Sequence, residues 1–231
     1  MSSNNPSAIP VITIDGPGGS GKGTVAMRLA QELDWHFLDS GALYRIVAVA
    51  AMDRKVGPDD EQALGELVLD LDVNFGFSGH GMVILLDGNR ITGRLRSEKV
   101  SVFASKVAAV PAVRAALVER QREFRKPPGL VADGRDMGTV IFPDAILKVF
   151  LTASAEARAN RRYKQLKEKG ESVNLPRLFR DIEKRDERDS SRPIAPLKPA
   201  EDAQIIDSTD MSIDWVLEKI HKLLDKRQIT Y

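Results

Sequence analysis

Short apolar runs alternate with amphipathic helical patterns along most of this chain. The apolar runs lie at residues 9–14, 35–38, 130–133, 146–151 and 203–207 and predict strands. Between them apolar residues recur at helical spacing, for example at Val25, Leu29 and Leu33, which predicts a helix over residues 24–33. Nearly continuous apolar strands that alternate with helices are typical of a parallel sheet covered on both faces. The pattern therefore predicts an α/β fold.

The pattern changes between residues 72 and 101, where short strands replace the alternation. Asp87-Gly88-Asn89 is a strong hairpin signal, and residues 78–81 form a looser turn. Antiparallel hairpins inside an α/β chain indicate an insert, which two helical patterns at residues 98–107 and 111–124 complete. We therefore expect a core segment at 1–71, an insert at 72–128, core strands at 129–154, a charged helical segment at 155–192 and a C-terminal core segment at 193–231.

A glycine-rich loop, GPGGSGKGT, follows the first strand. Its residues are Gly16, Pro17, Gly18, Gly19, Ser20, Gly21, Lys22, Gly23 and Thr24. Strand, glycine loop and helix in this order are the context of a phosphate-binding loop, whose N–H groups surround an anion. Lys22 would then reach the outer phosphates of a nucleoside triphosphate. The alternative is a tight turn without ligand, and Gly23 departs from the general pattern, which places a magnesium-binding Ser or Thr after the lysine.

Composition restricts the partners and the compartment. The chain has 231 residues, is 42% hydrophobic and carries a formal net charge of +1. These values are ordinary for a globular protein and give no bulk electrostatic argument for nucleic acid or a membrane surface. Cysteine is absent, so a disulfide framework and a cysteine metal site are excluded. Since no long apolar run or signal-peptide pattern is present, we expect a cytoplasmic protein.

Residues 155–192 hold eight arginines and four lysines in two predicted helices, with a break at residues 169–170. Arginines on a movable helical pair can neutralise a phosphoryl group in transfer and exclude water. The alternative is a solvated helix face, which is what most charge runs are. Beside a phosphate-binding loop we favour a lid. The chain shows no Asn-Lys-x-Asp-like guanine motif, which argues against a GTPase.

The sequence offers no obvious catalytic base. The histidines His36, His80 and His221 lie at a strand end, in a glycine turn and in the last helix, where structural or solvated roles are expected. An acceptor that is already a phosphate needs no base, so a nucleoside monophosphate suits this chain better than an alcohol. Asp133 ends a buried strand and could hold a metal ion or its waters, or bond to the adjacent loop; both interpretations stay open.

Further motifs point to a family. They are LDSGALYR (38–45), ASKVAAVPAVRAAL (104–117), ADGRDMGTV (132–140), FPDA (142–145) and RDERDSSRPIAPL (185–197). With the glycine loop and the hairpin insert they make the chain similar to bacterial cytidylate kinases from residue 10 to the final helix. The resemblance implies a P-loop NTPase three-layer fold with a five-stranded parallel sheet, an inserted monophosphate-binding domain that carries a small antiparallel sheet, and a helical lid. It also implies a monomer that transfers the γ-phosphoryl group of ATP to CMP or dCMP with Mg²⁺.

The same resemblance implies a set of site residues. It assigns CMP to Ser40, Arg45, Ser105, Arg114, Asp133, Arg135, Asp136, Arg185, Asp189 and Arg192. It assigns ATP to the glycine loop with Arg158 and Arg162, catalysis to Lys22, Arg135, Arg161 and Arg192, and Mg²⁺ to Thr24, mainly through waters. Ser105, Arg114 and Asp136 match the positions that read cytosine, which agrees with the base: a carboxylate accepts from its amino group, and an arginine donates to its carbonyl and ring nitrogen.

Simpler interpretations exist for three of these residues. Ser40 could cap the following helix, Arg114 could be an exposed helix arginine, and Asp189 could pair with Arg185 one turn away. The functional alternatives are a related small-molecule kinase for UMP, dTMP or shikimate, and a nucleotide-regulated binding module without turnover. The hairpin insert and the cytosine-reading set argue against the first. Retention of Lys22 and the lid arginines argues against the second.

Overall fold

The computed structural model describes residues 9–78, 81–168 and 170–227. Within these ranges the strands are β1 (Val11–Asp15), β2 (His36–Asp39), β3 (Val73–Ser78), β4 (Gly81–Leu86), β5 (Asn89–Arg90), β6 (Leu130–Gly134), β7 (Leu147–Thr152) and β8 (Gln204–Asp207). The helices are α1 (Lys22–Glu32), α2 (Ser40–Asp53), α3 (Glu61–Leu69), α4 (Glu98–Val107), α5 (Pro111–Arg122), α6 (Ala155–Glu168), α7 (Leu175–Ser190) and α8 (Ile213–Lys226). Three of the predictions fall partly outside the described residues. They concern His80, the turn at 78–81 and the break at 169–170.

The chain forms two compact units. We call residues 9–38 and 122–227 the core unit, and Asp39–Gln121 the insert unit. The core unit contains a five-stranded parallel sheet in the order β2-β6-β1-β7-β8. All residues of β1 and β6 are buried, and apolar residues of α1 and α8 join them in one hydrophobic cluster. This confirms the predicted α/β fold, and burial on both faces explains why these strands are apolar throughout.

The register of the sheet brings two strand ends together. Ile14 of β1 lies opposite Asp133 of β6, and Asp15 lies opposite Gly134. Because parallel strands end at the same edge, the glycine loop after β1 and the segment after β6 leave the sheet side by side. This edge is where ligands bind in open α/β sheets.

The insert unit contains the small antiparallel sheet, in the order β3-β4-β5. Leu86 pairs with Asn89 across a two-residue loop in which Asp87 and Gly88 have φ values of +48° and +75°. Positive φ at both loop residues is the tight hairpin turn that Asp-Gly favours, so the predicted hairpin is confirmed. Strand β5 is shorter than predicted and consists of Asn89 and Arg90 alone.

This unit begins at Asp39 and includes α2 and α3, whereas the sequence pattern placed the start of the insert at residue 72. The reason lies in α2, where six consecutive residues, 46–51, are all buried. A helix that is apolar all round needs packing partners on every side. Helix α4 supplies such contacts inside the same unit.

In the described part of the chain, no single helix is both long and apolar enough to cross a membrane. Helices α4 and α5 reach that length and composition only when they are counted together, and they meet at an angle of 98°.

Candidate functional site

The glycine loop passes very close to the sheet at its first residue. Gly16 has a φ of +149°, and a Cβ there would lie 2.0 Å from the carbonyl oxygen of Leu151 on β7. No side chain fits at this position, so only glycine can open the loop here. The loop then leads into α1, which begins at Lys22. The N-terminus of this helix is a favourable place for a negative charge.

A cleft of about 490 Å³ opens beside the glycine loop within the core unit. Its lining residues are Gly19, Ser20, Gly21, Lys22, Gly23, Thr24, Arg161, Arg162, Gln165, Ser208, Met211, Ser212, Ile213 and Val216. This volume is within the range of small-molecule sites, about 300–1,000 Å³. Three cationic side chains and a group of apolar ones share the lining, so the cleft suits a ligand with an anionic part and a flat apolar part. A nucleotide is such a ligand.

A buried ion pair lies at the start of α1. The Nζ of Lys22 is 3.7 Å from Oδ1 of Asp133 and donates to the carbonyl oxygen of Pro17 at 3.4 Å. A Cβ on Gly23 would lie only 3.0 Å from Oδ2 of the same aspartate. A serine or threonine after the lysine would therefore press against this carboxylate. The departure of Gly23 from the general loop pattern thus has a steric reason.

Both interpretations of Asp133, a holder of a metal ion or its waters and a partner of the adjacent loop, stay predictions. Its carboxylate faces Lys22 and the start of α1, a position that is compatible with either. Thr24 lines the same cleft one residue after Gly23. Among the described residues, no group of three or more His, Cys, Asp or Glu side chains could hold a metal ion. A metal bound here would take most of its oxygen ligands from phosphates and water, as Mg²⁺ commonly does.

Three arginines converge on one buried carboxylate, Asp189 of α7, which is only 1% exposed. Arg135 Nε lies 3.2 Å from its Oδ2, Arg185 Nε lies 3.8 Å from the same atom, and Arg192 donates to Oδ1. Burial by itself would raise the pKa of Asp189, but the charges of Arg135, Arg192 and Arg185 and the hydrogen bond from Arg135 lower it. The pairing of Asp189 with Arg185 one turn away is therefore present, and Arg135 and Arg192 join it.

This arginine cluster lies directly beside the glycine loop. A Cβ on Gly18 would be 3.5 Å from Nη2 of Arg135 and 3.6 Å from the guanidinium of Arg185. With Lys22 on the same loop, the core unit concentrates positive charge where a triphosphate would be bound. Guanidinium groups at such a position can stabilise negative charge on a phosphate.

Two arginines of α6 hold the glycine loop by its carbonyl oxygens. Arg158 Nη1 donates to Gly18 O at 3.1 Å and to Asp186 of α7 at 3.0 Å. Arg161 donates to Ser20 O at 3.2 Å and also to the carbonyl oxygens of Ser208 and Thr209. Arg162 lines the cleft. The predicted contacts of Arg158 and Arg162 with ATP and the predicted catalytic role of Arg161 stay predictions. The structure adds that Arg158 and Arg161 hold the loop backbone.

The alternative of a solvated charged face fits only part of the charged segment. Arg177 pairs with Asp181 on the surface of α7, and its side chain is 78% exposed. Arg158, Asp189 and Arg192, by contrast, are all buried. For these three residues the interpretation as a solvated face is wrong, because their side chains lie inside the core unit.

A further buried carboxylate ends β1. Asp15 is 6% exposed and accepts hydrogen bonds from the backbone N–H groups of Met137 at 2.9 Å and Gly138 at 2.8 Å. Burial raises the pKa of Asp15 to about 7; the two backbone hydrogen bonds act in the opposite direction, and the nearby charges of Asp136 and Asp133 add to the rise. Asp136, one of the predicted cytosine-reading residues, is itself buried.

The insert unit places Ser40 at the start of α2. The cap of this helix is Asp39, whose Oδ1 accepts from the N–H of Ala42 at 2.9 Å. Ser40 is the first helical residue, is buried, and donates its hydroxyl to Gln121 at 2.6 Å. The alternative that Ser40 caps the helix is therefore wrong, since the carboxylate before it fills that role.

Arg114 of α5 is buried, with 6% exposure. Its Nη1 donates to the hydroxyl of Tyr44 at 3.3 Å and to the carbonyl oxygen of Ala108 at 3.2 Å. The alternative of an exposed helix arginine is wrong. In the same unit Ser105 is buried on α4, and Arg45 is half-buried on α2.

Comparison with known proteins identifies the family. The family model described as cytidylate kinase matches residues 12–226. This chain belongs to the cytidylate kinase family. Cytidylate kinase from Stutzerimonas stutzeri (strain A1501) is 61% identical over 214 residues, which cover 92% of this chain and 93% of that protein. The corresponding enzyme from Methylococcus capsulatus is 59% identical over 210 residues, with coverage of 91% and 94%.

Membership of the cytidylate kinase family confirms the resemblance inferred from the motifs. The predicted site residues divide between the two units. The core unit holds the glycine loop, Asp133, Arg135, Asp136, Arg158, Arg161, Arg162, Arg185, Asp189 and Arg192, and the insert unit holds Ser40, Arg45, Ser105 and Arg114. Their individual roles stay predictions.

Sequence reasoning missed several polar residues that support this site. Gln121 is buried on α5. It continues the apolar stripe of Val113 and Leu117 at helical spacing, and this position could have predicted its burial. Asp15 had a signal too, because it ends an apolar strand immediately before the glycine loop. Ser208 accepts from Arg161 and donates to Ser20 O at 3.0 Å, but nothing in its local sequence marks it.

Proposed function

We propose that this chain transfers the γ-phosphoryl group of ATP to CMP or dCMP, giving ADP and CDP or dCDP. The observation that carries the proposal is the arginine cluster around Asp189. Its members Arg135 and Arg185 lie next to Gly18 of the glycine loop. Phosphoryl transfer depends mainly on positioning and on electrostatic stabilisation of the moving group. A phosphate-binding loop next to buried arginines supplies both.

The glycine loop and Lys22 hold the phosphates of the donor. The N–H groups of the loop and the N-terminus of α1 bind phosphate oxygens, and Lys22 contributes a point charge to the outer phosphates. Apolar residues of the cleft, including Met211 and Val216, contact the base. Arg158 and Arg162 assist in binding ATP from α6.

Mg²⁺ is the metal we assign to this reaction. The carboxylate of Asp133 and the hydroxyl of Thr24, at the start of α1, are oxygen ligands of the kind that hold Mg²⁺ directly or through water. When bound, the ion neutralises charge on the phosphates. The protein residues that surround it orient the donor, and Lys22 lies beside Asp133 at this site.

Cytosine is the base we assign to the acceptor. In the insert unit Arg114 donates to the carbonyl and ring nitrogen of the base, and the contacts with Tyr44 and Ala108 O hold its guanidinium in place. Ser105 adds a hydroxyl. By the family resemblance, Asp136 accepts from the exocyclic amino group of the base. Uracil carries a carbonyl at that position, which would face the carboxylate unfavourably.

The acceptor phosphate is bound by arginines. As the family resemblance implies, Arg45, Ser40 and Arg135 bind it, and Arg192 and Arg161 stabilise the phosphoryl group in transfer. Arg185 and Asp189 bind the sugar. A phosphate acceptor is largely ionised at neutral pH, so it attacks without a protein base. The absence of a histidine from this scheme agrees with that chemistry.

The remaining assignments follow from the family resemblance. We propose that the enzyme acts as a monomer in the cytoplasm, with small-molecule nucleotides as its substrates and neither nucleic acid nor membrane as a partner. The insert unit, Asp39–Gln121, acts as the monophosphate-binding domain and residues 155–192 act as the lid.

An acceptor panel tests the proposal. ADP formation from ATP is measured with CMP, dCMP, UMP, AMP and shikimate as acceptors, at equal concentrations. We expect strong turnover with CMP and dCMP only, because Asp136 pairs with the cytosine amino group. Equal use of UMP would refute the role of Asp136, and the same rate without any acceptor would refute the kinase assignment. Lys22→Ala, which keeps the fold but removes the phosphate contact, controls for contaminating activity.

A further inference from the structure

Asp15 lies outside the residues assigned to either substrate, yet it sits where the two binding segments leave the sheet. Its backbone precedes Gly16, the first residue of the donor loop. Its side chain accepts from two consecutive N–H groups, of Met137 at 2.9 Å and Gly138 at 2.8 Å. Those residues directly follow Arg135 and Asp136, to which we assign the acceptor.

The turn that carries Arg135 and Asp136 has little freedom to move. A Cβ on Gly134 would lie 2.7 Å from Cγ of Met137, so the turn folds tightly on itself. A Cβ on Gly138 would lie 2.8 Å from Oγ1 of Thr13, so the turn is also seated against β1. The two hydrogen bonds to Asp15 are the polar contacts that fix this seating.

A carboxylate is well suited to this position because both of its oxygens accept hydrogen bonds. An asparagine has the same shape but presents only one acceptor, and its NH₂ group would face the second backbone N–H. In the described part of the chain, the hydrogen bonds and ion pairs of Asp15 include no cationic partner, so these two backbone N–H groups are what favours its ionised form. Hydrogen bonds to a charged group are among the stronger ones, which makes the turn sensitive to this residue.

We propose that Asp15 is a positioning residue for the acceptor. Its carboxylate fixes the N–H groups of Met137 and Gly138, which holds Asp136 at the cytosine amino group and Arg135 at the acceptor phosphate. Asp15 therefore couples the first residue of the donor loop to the residues that select the acceptor. The inference rests on the proposed CMP kinase function.

Kinetics of Asp15→Asn test the proposal. We measure kcat and KM for CMP and UMP and KM for ATP, and compare them with the matched control Thr13→Val. Thr13 is buried on the same strand and touches the same turn, but its hydroxyl has no hydrogen-bond partner within the described residues. We expect Asp15→Asn to raise KM for CMP and to lower the CMP-to-UMP ratio of kcat/KM about tenfold, because small displacements of positioned groups are costly. KM for ATP changes less, and Thr13→Val keeps the wild-type ratio.

A second variant approaches the same turn from its other side. Gly138→Ala leaves Asp15 intact but pushes the turn away from Thr13, and we expect the same loss of CMP-to-UMP discrimination. A folded Asp15→Asn with an unchanged ratio would overturn the inference, even if its stability falls. If Asp15→Asn does not fold, Gly138→Ala with an unchanged ratio does so instead. A wild-type enzyme without CMP turnover would refute the proposed function itself, which is a separate outcome.

Discussion

Two buried carboxylates of the core unit, Asp15 and Asp189, differ in almost every respect except burial. Asp15 ends β1 and accepts only backbone N–H groups in the contacts described here, and burial raises its pKa to about 7. Asp189 lies in α7 among three arginines, and its pKa is lowered. The partners of a buried carboxylate, rather than its burial alone, therefore decide how it ionises.

The difference separates two tasks in one site. Asp189 holds three guanidinium groups together beside the glycine loop, where their repulsion would otherwise spread them. Asp15 holds backbone and so sets the direction of the turn after β6. In the proposed reaction, Asp189 organises charge for the phosphoryl group, and Asp15 organises geometry for the acceptor.

The substitution of Asp189 has the largest expected effect on the free energy of unfolding, and it sharpens this contrast. Removal of one partner from a buried charge network leaves the others uncompensated and costs about 3–5 kcal/mol. We expect Asp189→Ala to lower the free energy of unfolding by that amount, measured by urea denaturation at pH 7. Asp181→Ala is the matched control, because Asp181 pairs with the exposed Arg177 on the same helix and should cost less than about 1 kcal/mol. Equal losses in the two variants would break the contrast.

The sequence predicts the fold better than it predicts the site. Apolar strands, the Asp-Gly hairpin and the glycine loop are local patterns, so the structure of each could be predicted from its own residues. The arrangement around Asp189 could not, because Arg135 is 54 residues away along the chain and only the tertiary fold brings it to 3.2 Å. The alternative interpretation of Ser40 as a helix cap is wrong for a local reason. The adjacent residue, Asp39, accepts from the N–H group of Ala42 and caps the helix instead.

Other parts of the site needed the packing of the chain. The burial of Arg114 depends on Tyr44, 70 residues earlier, which no pattern within α5 reveals. The sequence shows that Gly23 departs from the general phosphate-binding-loop pattern. The reason for this glycine, the nearby carboxylate of Asp133, is visible only in the packing of β6 against α1. Family motifs supplied these residues without their physical reasons.

A smaller expected effect is the pH dependence of the free energy of unfolding. The two carboxylates contribute to it with opposite signs, because their pKa values are shifted in opposite directions. The folded pKa of Asp15 is about 7 and its ordinary value is 3.8, so between these values the folded state holds a proton that the unfolded state releases. This group therefore stabilises the fold less as pH rises from 4 to 7. Asp189 has a lowered pKa, so its contribution is present above the ordinary value and is lost as pH falls through the folded pKa.

The measurement is the free energy of unfolding of wild type minus that of Asp15→Asn between pH 5 and 8. This difference should fall with rising pH, with a slope of at most about 1.4 kcal/mol per pH unit for one proton. Asp189 is common to both proteins and cancels. A difference that rises with pH would show that Asp15 is ionised more easily in the folded state, and the contrast would be wrong.

The most direct test of the central claim follows the transferred group itself. ATP labelled in its γ-phosphoryl group is incubated with the enzyme, Mg²⁺ and CMP, and the products are separated by chromatography. We predict that the label is recovered in CDP, in an amount equal to the ADP formed, and that Lys22→Ala yields little of either. Label recovered as inorganic phosphate, or label that stays in ATP while CMP is present, would contradict the account.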